Sequence, residues 1–252
     1  MSRGRGTRGG GSGSRGGNQP PRERLTHFLC LPLVTGASRP QLEASIARFR
    51  AEVDQLNQTA TAPAVVPSTA IRPLDTLHLT LGVMSLVEPG KLQEAISLLE
   101  TLDVAKMLAD CPSTSSQNDN SELTITLESL APMRRPNDTS VLFAIPKDST
   151  SRLMPFCEAL QKSFMNRGFI VNENRPLKLH ATVINTVFSK KEVGTVKGLD
   201  ATQLLAQFQD FQWTGGYRVE KIAICEMGAK KTFERGVLVK EAYTEVASVG
   251  LP

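Results

Sequence analysis

The sequence has no apolar run approaching the roughly 20 residues needed to cross a bilayer, which speaks against a membrane-spanning helix. It has no C-x-x-C pair and no Cys/His cluster at metal spacing, since Cys30, Cys111, Cys157 and Cys225 lie far apart. Cys30, Cys157 and Cys225 sit in apolar segments, as reduced cysteines packed as small hydrophobes do. The N-terminus lacks the apolar stretch of a secretory signal, so a reducing nuclear or cytoplasmic setting is expected. There is no G-x-S-x-G elbow and no Cys-His signature to suggest a serine or cysteine nucleophile. Histidine is scarce, with three in 252 residues, and there is little excess of either charge: 29 Lys and Arg against 25 Asp and Glu give a net formal charge of +4.

That charge is concentrated at one end. Residues 1–25 hold six arginines and one glutamate, so residues 26–252 sum to −1. The Arg/Gly/Ser-rich leader, with Arg8-Gly9-Gly10 and Arg15-Gly16-Gly17, has nothing apolar to bury and is expected to be disordered. It reads either as a solvated tail or as an RNA-contacting segment, and any nonspecific pull on nucleic acid should come from it. A single domain is expected over residues 26–252, long enough to fold without metal or disulfides.

Hydrophobic periodicity predicts strands over 28–34, 77–86, 123–130, 140–145, 177–188 and 217–227, with helices over 40–56, 90–108, 151–167 and 201–208. A polar loop is expected over 111–120, and Gly168 is a helix stop. The order repeats. Phe28-Leu29-Cys30-Leu31-Pro32 is echoed by Leu142-Phe143-Ala144-Ile145-Pro146, and the Arg72-Pro73-Leu74 segment leading to His78-Leu79-Thr80 is echoed by Arg175-Pro176-Leu177 leading to His180-Ala181-Thr182. Two copies imply a duplicated domain, with lobes of about 26–135 and 136–252.

On a strand, His78 and Thr80 share one face while Leu77, Leu79 and Leu81 anchor the other, and the second copy repeats this. Two of the three histidines thus fall at the same place in the duplication. If the halves pack about a pseudo-twofold axis, two imidazoles and two hydroxyls meet around a small anion. Such a set suits phosphodiester cleavage: one imidazole takes a proton from water or a ribose hydroxyl, and the other protonates the leaving oxygen. The hydroxyls of Thr80 and Thr182 can donate to phosphate oxygens as charge develops. Two histidines without a third ligand fall short of a catalytic zinc shell, so no metal or other cofactor is expected. His27, outside the repeat, reads as structural or exposed. Trp213, Tyr217 and Phe188 read as core residues or as platforms for a base. Arg72, Arg175 and Lys178 read as phosphate contacts or as solvated charges. The sequence leaves open which histidine is acid and which is base, and the oligomeric state.

His78-Leu79-Thr80-Leu81 and His180-Ala181-Thr182-Val183 resemble the paired H-h-T/S-h motifs, h being hydrophobic, of the two-histidine (2H) phosphoesterase superfamily. The segments 26–33, 77–84 and 179–186 are similar to one branch, the phosphoesterase domain shared by A-kinase-anchoring proteins of the gamma type (A-kinase anchor protein 7-like) and by subunit 1 of the activating signal cointegrator complex. That subunit carries an RNA-binding KH domain before its phosphoesterase domain, whereas here a short Arg/Gly leader stands there. The resemblance implies a bilobal α+β fold, two pseudo-symmetric lobes of antiparallel sheet plus helices around a central cleft. It also implies acid/base roles for His78 and His180 and phosphate binding by Thr80 and Thr182. The implied substrates are RNA ends, 2',3'-cyclic phosphates or 2'-5'-linked oligonucleotides. A second implied role is that of a nucleotide- or RNA-binding subunit in a nuclear transcription-coactivator or repair complex.

Overall fold

Strand β1, His27–Pro32, is buried at almost every position because both its faces are covered. Leu29 and Leu31 face the main core, while Phe28 and Cys30 join a smaller cluster on the other face. The computed structural model describes residues 24–59, 66–114, 122–171, 175–189 and 198–252. Apart from Arg24 and Leu25, the Arg/Gly leader lies outside these residues, as does most of the expected loop at 111–120.

The fold is α+β, with one eight-stranded antiparallel sheet in the order β10-β7-β1-β2-β5-β4-β3-β6. Strand β2 is His78–Met84, β3 Thr124–Pro132, β4 Val141–Lys147, β5 Ala181–Asn185, β6 Gln212–Arg218, β7 Lys221–Glu226 and β10 Glu245–Gly250. A separate hairpin joins β8, Lys230–Glu234, to β9, Val237–Ala242. The duplicated motifs occupy equivalent places: β1 and β4, both ending near a proline, flank the central strands β2 and β5. β2 carries one extra residue, Leu81, where the register with β1 steps from Cys30↔Thr80 to Leu29↔Gly82.

The helices are α1, Arg39–Thr59; α2, Lys91–Thr101; α3, Val104–Ala109; α4, Leu153–Asn166; and α5, Thr202–Gln207. α1 buries Leu42, Ile46, Phe49 and Val53, one stripe at helical spacing. α4 ends at Gly168, whose φ of 73° suits glycine, with Gly168 N–H on the Met165 carbonyl and Phe169 N–H on that of Phe164. The helix expected over 90–108 is broken at Leu102 and Asp103, because the Asp103 carboxylate accepts from the Lys106 amide at 3.0 Å and caps a new helix.

Two further expectations need correction. The strand expected over 217–227 is two strands, because Val219 N–H bonds to the Leu123 carbonyl and Leu251 N–H to that of Glu220, diverting the chain. Only Val219 and Glu220 separate β6 from β7, a reach of at most about 10 Å. The two halves of the sheet therefore lean together at this end, where Arg218 Nη2 donates to the Leu251 carbonyl at 2.8 Å. The sheet also does not divide into lobes at residue 135. β3 pairs with its chain neighbour β4 in the second half of the sheet, whereas β7 and β10 return beside β1 in the first.

Candidate active site

β2 and β5 pair antiparallel through Leu79↔Ala181, both buried. In an antiparallel ladder this register sets His78 opposite Thr182 and Thr80 opposite His180. All four flanking residues are half-buried and lie on the face opposite the two anchors. A local twofold axis passes between Leu79 and Ala181, so each histidine faces the other motif's threonine. The threonine hydroxyls have no hydrogen-bond partner among the described residues. β5 is shorter than the strand expected over 177–188: His180 stands one residue before it, and Thr186–Ser189 forms a 3-10 turn.

Each imidazole is tied to its own backbone in the same way. His78 Nδ1 lies 2.7 Å from the Thr76 carbonyl, and His180 Nδ1 lies 2.8 Å from the Lys178 carbonyl. A carbonyl can only accept, so Nδ1 carries the proton in both rings and Nε2 is left for chemistry. Burial pushes the His78 imidazole down to about 4, with the His180 and Arg72 charges adding to the lowering and the Thr76 carbonyl opposing it. Ring contacts hold the imidazoles: His78 lies 4.8 Å from Phe28 and 5.3 Å, edge-on, from Tyr243, and His180 lies 5.4 Å from Phe143.

A cavity of about 240 Å³ opens beside His78, lined also by Phe28, Cys30, Cys225, Lys240 and Tyr243. Its rim carries two ion pairs, Arg39 with Asp75 at 2.5 Å and Lys221 with Glu245 at 2.6 Å. Sequence reasoning missed this wall, because Tyr243 and Lys240 reach it from β9 and its C-terminal side, at an exposed hairpin without a motif. Among the described residues no three His, Cys, Asp or Glu side chains are grouped to hold a metal ion. All four cysteines are buried and unbridged, with Cys30 and Cys225 sulfurs 3.9 Å apart.

The other singled-out residues separate cleanly. His27 is buried, its Nδ1 2.9 Å from the Thr26 hydroxyl, and is structural. Trp213 and Tyr217 are core residues, with Trp213 Nε1 donating to the Ser129 carbonyl. Phe188 is exposed and lies over Arg72, while Lys178 lies over Phe143. Arg175 is exposed.

The family model for the AKAP7 2'5' RNA ligase-like domain matches residues 25–235. Among curated proteins the chain is similar to Activating signal cointegrator 1 complex subunit 1 of Mus musculus, at 26% identity over 172 residues, 67% of this chain and 44% of that one. It is also similar to Uncharacterized protein C15D4.13c of Schizosaccharomyces pombe, at 25% identity over 118 residues, 47% of this chain and 52% of that one. The chain spans about half the length of the curated relatives it matches. Among solved structures, E. coli LigT complexed with 3'-AMP aligns with a TM-score of 0.49 at 20% identity, covering 90% of this chain and 98% of that one. Kluyveromyces marxianus Usb1 aligns at 0.40 and 13%, covering 90% and 97%. With the matched model spanning most of the sequence, and both H-h-T motifs brought side by side on β2 and β5, the chain belongs to the AKAP7 2'5' RNA ligase-like family of the two-histidine phosphoesterase superfamily.

Proposed function

We propose that this protein is a metal-independent phosphodiesterase of RNA ends, 2',3'-cyclic phosphates or 2'-5'-linked oligonucleotides, working in the nucleus or cytoplasm. The observation that carries this reading is the Leu79↔Ala181 register, which pairs each histidine with the other motif's threonine. Thr80 and Thr182 donate their hydroxyl hydrogens to the non-bridging phosphate oxygens. His78, held neutral by burial, is the base: its Nε2 takes the proton of the attacking water or ribose hydroxyl. This leaves His180, as the imidazolium with protons on both nitrogens, to protonate the departing oxygen through Nε2–H. The attacking oxygen forms the new P–O bond as the leaving oxygen departs with that proton, so the pair keeps its net charge and returns to its starting state once His78 gives a proton to solvent and His180 takes one up. The Nδ1 contacts hold both rings in the tautomer this requires.

The description of the family as 2'5' RNA ligase-like supports the choice of substrate. The likeness to a cointegrator complex subunit supports a second reading, in which the site binds a nucleotide or RNA end within a nuclear assembly with little turnover. Purified protein incubated in chelator with 2',3'-cyclic nucleotides and with 2'-5' and 3'-5' oligonucleotides separates the two. Cleavage lost in both His78→Ala and His180→Ala supports the enzyme. Tight binding without turnover across the panel supports the subunit, and cleavage untouched by either substitution overturns the proposed site.

A further inference from the structure

Arg72 begins the segment that leads into β2, and it is 4% exposed. Its amide donates to the Val183 carbonyl at 2.8 Å, next to the Thr182 that lies opposite His78. Among the described residues no carboxylate pairs with it, and Nη2, closed off from solvent, has no hydrogen-bond partner. Its guanidinium carbon lies 3.6 Å from the centre of the Phe188 ring, which covers it while remaining 47% exposed itself.

Arg152, also buried, shows how a structural arginine is normally held: Nε donates to the Thr150 hydroxyl at 3.1 Å and Nη2 to the Glu122 carbonyl at 2.5 Å. Buried polar atoms are paired as a rule, and a buried cation without a counter-charge destabilises the fold. The duplicated frame does not demand it, because the equivalent Arg175 lies exposed at the surface. The unbalanced charge is specific to the His78 corner of the site.

We propose that Arg72 is the fixed counter-charge for the phosphate group bound between the two H-x-T motifs, a positioning residue that acts through its field beneath the Phe188 ring. The inference rests on the phosphodiester reading of the site. A charge sealed from water acts in a low local dielectric, so it attracts an anion a few ångströms away without touching it. The aromatic cover excludes water and adds a cation–π contact that keeps the guanidinium in place. The attraction grows with ligand charge, so a phosphate monoester dianion gains more than a diester monoanion.

The test needs no turnover. Arg72→Gln, Arg72→Lys and Phe188→Leu are compared with wild type for binding of inorganic phosphate and of adenosine 3'-monophosphate, by calorimetry in chelator near pH 7. Loss of the charge in Arg72→Gln is expected to weaken both ligands on the order of tenfold, with Arg72→Lys close to wild type. The second readout is the His78 imidazole titration followed by NMR, which should move upward in Arg72→Gln. The other charged groups near that ring, His180 and the Arg39–Asp75 and Lys221–Glu245 pairs with Lys240, are unchanged by the substitution. Wild-type phosphate affinity in a folded Arg72→Gln overturns the proposal, as does equal damage by Arg72→Lys. If Arg72→Gln does not fold, Phe188→Leu decides: weaker phosphate binding supports the role and unchanged binding removes it. Absence of cleavage by wild type alongside charge-dependent phosphate binding would sink the enzymatic reading and leave the role of Arg72 standing.

Discussion

His78 and His180 each turn Nδ1 to the carbonyl two residues upstream, Thr76 at 2.7 Å and Lys178 at 2.8 Å. The same local contact in both halves of a duplicated frame orients two rings without a side-chain hydrogen bond among the described residues. Most imidazoles that act as acids or bases are oriented by a carboxylate or carbonyl on the far nitrogen, and here the backbone of each motif supplies it.

Removal of either imidazole should abolish cleavage while leaving the fold intact, since both rings lie on the sheet face away from the main core. His78→Ala and His180→Ala are expected to lower kcat by about 10²–10⁴-fold, the usual scale of general acid–base assistance. Single-turnover rates alongside thermal melts check this. Lost activity accompanied by a matching loss of folded protein would assign the residues to packing instead.

Thr80→Val and Thr182→Val keep a β-branched residue in each strand and remove only the hydroxyl. Each is expected to reduce kcat/KM on the order of 10²-fold, as for the loss of one donor to a developing oxyanion. A change in KM alone would mean that the hydroxyls bind the ground state and transition state equally.

Stability should fall as the solution is acidified through the range where His78 gains its proton. In the unfolded chain the imidazole titrates near 6.5, and in the fold burial holds it at about 4. Between these values the unfolded state holds more protons, so this contribution is complete above about pH 6.5 and is lost as the pH falls toward 4. His27, also lowered by burial, acts in the same direction. Urea unfolding at several pH values is expected to show a shallower decline for His78→Gln than for wild type. Parallel declines would remove the burial penalty from His78.

Gly82 backs the site strand against the core. A Cβ there would stand 2.3 Å from Ile170 Cδ1 and 2.9 Å from its Cγ1, so the whole isoleucine would have to move. Gly82→Ala is expected to destabilise by about 1–3 kcal/mol, and adding Ile170→Val to recover part of the loss. Denaturant midpoints of the two single variants and the double variant measure the coupling, and strict additivity would mean the contact does not matter.

The site was legible because two local rules coincide on it. Period-2 alternation put His78 with Thr80 and His180 with Thr182, and the duplication announced that they belong together. What escaped depended on contacts distant in sequence. The run from Tyr217 to Met227 reads as one strand, yet bonds to Leu123 and Leu251 turn the chain between β6 and β7. Arg72 reads as either a solvated charge or a phosphate contact at a strand start, and only the packing of the 3-10 turn that carries Phe188 seals it. Tyr243 carries no motif, and its place against His78 follows from the route of the hairpin.

The interleaving of the two sheet halves bears on how the protein is made. When the segment through β2 leaves the ribosome, β1 has one neighbour in hand and its other edge bare, because its second partner, β7, follows β6 in the chain. Cys30 and Cys225, stacked on those strands, are 195 residues apart. A growing chain must therefore hold an open strand edge until β7 has been made, which makes closure of the His78 corner a long-range event. Ribosome-bound intermediates lacking β7 are where chaperones would be most needed.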